Sequence, residues 1–191
     1  MRRLAPWVVF GLGLIVGGTN GVLADPAPAG NATAAGNGSA APAPSYSEKQ
    51  LAALQGITQA ECAASAALAG EDWGVWVKAK EGLFVALGEL QKQFGYGGFQ
   101  GAIQTAVQGW PDLGKATDLT HARSAYVKVS DALAQVVLQA RAGDPDLAKV
   151  MIYYCPMTTD PANGKWVQSA APLRNPFWGK DMLDCGSEVK Q

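Results

Sequence analysis

EDWGVWVKAKEGLFVALGELQKQF, residues 71–94, decides the class of this fold. Its apolar residues Val75, Val77, Leu83, Phe84, Leu87 and Leu90 recur at roughly helical spacing, no proline interrupts them, and Gly95-Tyr96-Gly97-Gly98 breaks the run. The spacing predicts a helix from Glu71 to Phe94. Upstream, Ser47-Glu48-Lys49-Gln50 has the separation that lets the serine and glutamine side chains each satisfy an orphan backbone donor at a helix start. A first helix is therefore expected from Ser47 to about Ala69. Its stripe of Leu51, Leu54, Ile57, Cys62, Ala66 and Ala67 is small enough for a neighbouring helix to come close. Downstream, Phe99–Val107 is a shorter candidate closed by Gly109-Trp110-Pro111, and a long last helix runs from Asp112 or Asp118 to Arg141, closed by Gly143-Asp144-Pro145. Four amphipathic helices with short links predict a mainly α fold, an antiparallel four-helix bundle.

Beyond Asp146 the pattern changes. Val150-Met151-Ile152-Tyr153-Tyr154 is β-branched and aromatic, Lys165-Trp166-Val167-Gln168 is a second short extended run, and Asn163-Gly164 between them is a turn signal. A small C-terminal β-hairpin is expected there. The stretch from Pro172 to Gly186 is too rich in proline and glycine for a long helix, so the tail is irregular and takes its geometry from packing or from a bound group.

Sulfur gathers in this tail. Cys155-Pro156-Met157 and Met182-Leu183-Asp184-Cys185-Gly186 place two thiols and two thioethers in two clusters of opposed order, the cysteines 30 positions apart. Thiolate and thioether together favour Cu(I), whereas zinc favours thiolate with imidazole. A site of Cys155, Met157, Met182 and Cys185 around one Cu(I) is expected, with His121, the only histidine, as an accessory ligand. Trp166, Phe177 and Trp178 lie nearby in sequence, and an aromatic face would shield the ion from water and dioxygen, although core packing accounts for at least two of them. Cys62, mid-helix among alanines, reads as a small buried hydrophobe, the other reading being an extra thiolate. In an oxidising compartment Cys155 and Cys185 can instead close a disulfide, stabilising the tail by roughly 3 kcal/mol. Both readings stay open, and one protein can alternate between them.

Tyr154-Cys155-Pro156-Met157, Gly164-x-Trp166 and Asn175-Pro176-Phe177-Trp178-Gly179-Lys180-x-Met182-Leu183-x-Cys185-Gly186 together resemble the tail of a family of extracytoplasmic domains of unknown function, proposed as copper binders. Members stand alone or are appended to heavy-metal efflux adaptor subunits. The family tail carries tyrosines where this chain has Phe177-Trp178, a change that keeps the aromatic character and loses two hydroxyls. His121-Ala122-Arg123 with Tyr126 and Ser130 is loosely similar as well. The resemblance spans residues 46–191 and implies copper binding in association with efflux.

The N-terminus bears on compartment. Met1-Arg2-Arg3 is a basic start, and Leu4–Gly18 is an uncharged, mostly apolar run of 15 residues, shorter than the roughly 20 of a bilayer span. Val22-Leu23-Ala24 suits signal peptidase. The expected organisation is a signal peptide over 1–24, a disordered Ala/Pro/Gly-rich linker over 25–46 and the domain over 47–191, in the periplasm or otherwise outside the cytoplasm. Cleavage leaves 13 basic against 16 acidic residues, a net charge of −3, which offers nothing to nucleic acid or to anionic lipid. A single histidine removes chemistry built on several imidazoles, and no nucleophile stands beside a base, so an enzyme is not expected.

These signals converge on an extracytoplasmic Cu(I)-binding chaperone or buffer in copper handling or efflux. The alternative is a disulfide-closed helical module that contacts a metal-efflux complex and carries no metal. The partners expected are the copper ion and a heavy-metal efflux complex, with no nucleic acid and, after signal cleavage, no membrane.

Overall fold

The computed structural model describes residues 43–158 and 164–190. The expected signal peptide, all but the last four residues of the linker, and Asn163 of the expected turn lie outside the described residues. The domain is mainly helical, with four α-helices followed by a three-stranded antiparallel sheet. Tyr46, at the end of the linker segment, packs against two rings of the domain, with centroids 6.0 Å from Phe94 and 6.4 Å from Phe99.

Helix α1 spans Glu48–Gly70 and opens on the expected capping box: Gln50 N–H donates to Ser47 Oγ at 3.3 Å, and Ser47 N–H donates to Gln50 Oε1 at 3.0 Å. Its buried seam is Leu54, Ile57, Glu61, Ala64 and Leu68. The expected stripe is half right, because Ala66 faces solvent and Cys62 is only half-buried, and the seam turns toward α2 and α4 through a glutamate that an apolar reading passes over. Helix α2 spans Trp73–Phe94 and starts two residues later than expected, since Asp72 is its cap and accepts from Val75 N–H at 2.9 Å. Trp76, Leu83, Leu87 and Leu90 are buried, while Val75 and Phe84 are exposed.

The third helix corrects the sequence reading at both ends. Phe99 and Gln100 take left-handed backbone angles (φ 50 and 55), so helix α3 begins only at Ala102. It continues through Gly109-Trp110-Pro111 to Gly114. Proline in the last turn forfeits one hydrogen bond, to the carbonyl four residues back. Fully buried Leu113 and the stacking of Trp110 on Phe84, centroids 5.0 Å apart, outweigh that loss. Gly109 is there for contact: a Cβ would lie 2.9 Å from Val129 Cγ2 on the next helix. That helix, α4, spans Leu119–Ala140 and is capped by Asp118, the later of the two expected starts, which accepts from His121 N–H at 2.8 Å. Contacts run between α1 and α2, α2 and α3, α3 and α4, and α4 and α1.

Strands β1 (Met151–Tyr154) and β2 (Lys165–Gln168) pair antiparallel, Met151 opposite Gln168 and Tyr154 opposite Lys165. A third strand, β3 (Ser187–Glu188), which the expected hairpin did not include, pairs with the other edge of β1. Strand β2 contacts both α1 and α4. Ser130 Oγ of α4 donates to the Lys165 carbonyl on the free edge of β2, and Lys165 Nζ lies 2.9 Å from Asp131 Oδ1. One sheet face, with Tyr153, Cys155 and Trp166, joins the main core, and the other, with Ile152 and Val167, packs on Ala134 and Val137 of α4. No helix among the described residues is long and apolar enough to cross a membrane.

Candidate metal-binding thiol site

Cys155 follows β1 directly, and its backbone is held from both sides. Its N–H donates to the Gly164 carbonyl at 3.1 Å, extending the ladder by one pair, and its own carbonyl accepts from Thr158 Oγ1 at 2.8 Å. The side chain is fully buried beside Trp166 and Phe177 in the main core. Cys185 comes from the other end of the tail, after the helical turn Gly179–Met182 and before β3. Its N–H donates to the Met182 carbonyl at 3.1 Å. Its carbonyl accepts from Asn175 Nδ2 at 2.7 Å, while Asn175 Oδ1 accepts from Phe177 N–H at 2.8 Å. Asn175 is thus the fully buried clamp that folds the Asn-Pro-Phe-Trp-Gly segment over Cys185.

The two sulfurs lie 3.8 Å apart, and both cysteines are free thiols. This is far longer than the ~2.05 Å of a disulfide. With metal–sulfur bonds of about 2.3 Å, a 3.8 Å separation corresponds to an angle of roughly 110° at a shared ion, which leaves room for further donors. Burial, followed by the neighbouring Cys155 and by Asp184, pushes the Cys185 thiol above its ordinary value. A metal must therefore displace a proton that the site holds firmly.

The remaining expected ligands are less tightly gathered. Met157 is 52% exposed and lines a cleft of about 440 Å³ with Val127, Phe177, Trp178 and Asp181. Met182 is half-buried in the turn that precedes Cys185. His121 points its ring at α3, with Nε2 3.2 Å from Asp112 Oδ1, and is not among the residues lining the cleft. Among the described residues no group of three or more His, Cys, Asp and Glu side chains gathers, so the soft donors available beyond the thiol pair are the thioethers. Cys62 packs with the Ile152 and Val167 face of the sheet, opposite the Cys155 face. Burial and then the neighbouring Glu61 push its thiol up to about 12, so it stays protonated at neutral pH. Of the three aromatic residues, Trp166 and Phe177 are core, their rings edge-to-face at 5.5 Å, while Phe177 and the more exposed Trp178 both line the cleft.

Sequence reasoning missed the residues that support the pair. The tail turn is tied to the end of α1 by Glu71, whose Oε2 lies 2.7 Å from Lys180 Nζ and whose Oε1 accepts from Arg123 at 3.0 Å. Hydrogen bonds from Lys180, helped by Arg123, hold the Glu71 carboxyl down to about 2. Gly186 is fixed by the approach of the tail: at φ 149, a Cβ would lie 2.9 Å from both the Trp166 ring and the Tyr154 carbonyl oxygen. Gly186→Ala is expected to destabilise the domain by about 2 kcal/mol through strain and overpacking, read as a lower urea midpoint. An unchanged midpoint would show that the tail does not rest on this contact. Compared with family models, curated proteins and solved structures, the chain matches none.

Proposed function

We propose that this is an extracytoplasmic Cu(I)-binding protein, a chaperone or buffer in copper handling or efflux, built on an antiparallel helical bundle that carries its metal site in the C-terminal tail. The observation that carries the reading is the pair of unbonded thiols 3.8 Å apart, Cys155 and Cys185, each with its backbone pinned by the surrounding fold. Two thiolates, with the thioethers of Met157 and Met182 two and three residues from them in the chain, are soft donors, and soft donors select a monovalent d10 ion. The basic, apolar N-terminus supports export, and the resemblance of the tail to that of proposed copper binders found with efflux adaptors supports the setting. No catalytic step is assigned to the site.

Metal analysis of the reduced chain, loaded with Cu(I) and desalted, tests the reading. About one copper per chain, retained against a competing Cu(I) chelator, is the expected outcome. A reduced chain that retains no copper returns the pair to the alternative role, a staple for an interaction module of an efflux complex.

A further inference from the structure

We propose that Cys155 and Cys185 form a thiol–disulfide exchange site, with Cys185 as the entry sulfur and Cys155 as the resolving sulfur, so that an external disulfide gates the metal site. The gating, though not the exchange itself, rests on the copper reading above. Three features carry the assignment. Cys155 is fully buried and cannot meet an outside reagent, whereas Cys185 is partly exposed. The 3.8 Å between the sulfurs must close by less than about 2 Å to reach bonding distance. Cys62, the third thiol, sits against the opposite face of the sheet from Cys155.

The Cys185 thiolate attacks one sulfur of the external disulfide, that S–S bond breaks, and a mixed disulfide forms as the first thiolate leaves. Cys155, deprotonated, then attacks the Cys185 sulfur, the mixed disulfide breaks, and the second thiolate leaves. Two protein thiols lose two electrons and two protons, and the external disulfide leaves as two thiols. The product has spent both thiolates and retains only thioethers for a soft metal.

The test uses the full reduced chain with oxidised glutathione in one arm and a protein oxidant bearing a Cys-x-x-Cys disulfide in the other. Peptide mapping of the wild type should find Cys155 joined to Cys185, a mass lower by two hydrogens, and no retained adduct. Cys155→Ala should stop at a stable adduct on Cys185, whereas Cys185→Ala should gain none at Cys155, with far-ultraviolet circular dichroism showing that both variants fold. Reaction in the protein arm alone would assign the oxidant to a protein. An adduct on Cys62, or a wild type that keeps its adduct without closing, overturns the exchange site. The closed form should lose Cu(I) affinity on the order of ten-thousandfold with its helical signal intact, as expected when both thiolates are removed. Tight copper binding by the closed form overturns the gate. Exchange as described in a chain that never binds copper when reduced refutes the copper reading and leaves the exchange site standing.

Discussion

Replacing Cys155 and Cys185 together by serine is expected to abolish tight Cu(I) binding while the helical fold remains. A hydroxyl is neither soft nor ionised at neutral pH, so the variant keeps the shape of the site and loses its chemistry. Structural thiolate and imidazole sites bind metal with about 10–16 kcal/mol, or about 3 kcal/mol per donor, so losing two should cost on the order of ten-thousandfold in affinity. Met157→Leu and Met182→Leu should each weaken binding by only about tenfold, since a thioether is a neutral donor and leucine preserves its volume. Met157 is the cleaner probe of the two because it is half exposed and its replacement disturbs no core. His121→Ala should stay within about twofold of wild type, as Asp112 holds that ring toward α3. Competition titration against a Cu(I) chelator reads all four variants. Unchanged affinity in the double serine variant removes the thiols from the site.

The second large effect is on stability, and it comes from Glu61. This side chain is fully buried between α1, α4 and β2, and neither carboxyl oxygen has a hydrogen-bond partner of good geometry. The Tyr126 hydroxyl and the Val167 amide lie close enough to ease its burial, yet Tyr126 is already engaged with Ser65 Oγ at 3.0 Å and with the Glu61 carbonyl at 3.3 Å. Burial pushes the carboxyl up to about 8. The folded state thus holds this proton more tightly than the unfolded chain, whose carboxyl titrates near 4.5. Stability from this group is fully present below about 4.5, falls as pH rises between about 4.5 and 8, and is flat above. The loss across that window should be about 3–5 kcal/mol, or roughly 10–15 °C in Tm. Glu61→Gln keeps the shape, cannot ionise, and should flatten the curve, so that the variant becomes the more stable protein at pH 9. Glu71, held down to about 2, stays ionised throughout that range and does not confuse the comparison. Parallel Tm curves for the two proteins would mean that Glu61 finds compensation on ionisation.

Local chemistry made much of this molecule legible from its sequence. The capping box at Ser47, the cap at Asp118, the strong break after Phe94 and the extended character of β1 and β2 each depend on residues within a turn or two of one another, and each is present in the fold. The expectation that Cys155 and Cys185 belong together also came from sequence, through the chemistry of paired sulfur clusters. Other features depend on contacts between distant segments, which no local pattern encodes. Helix α3 passes through Gly109-Trp110-Pro111 because Val129 and Phe84 receive it from other helices. Strand β3 exists because β1 offers an unpaired edge, and a stretch too short to signal a strand by itself can satisfy it. Asn175 and Gly186 become intelligible only once the tail has closed over Cys185, since their roles are a buried carbonyl to satisfy and a ring to clear. The tertiary structure also turned Met157 to the cleft and His121 to Asp112, because side-chain direction follows from what packs beside a residue and not from its place in a motif.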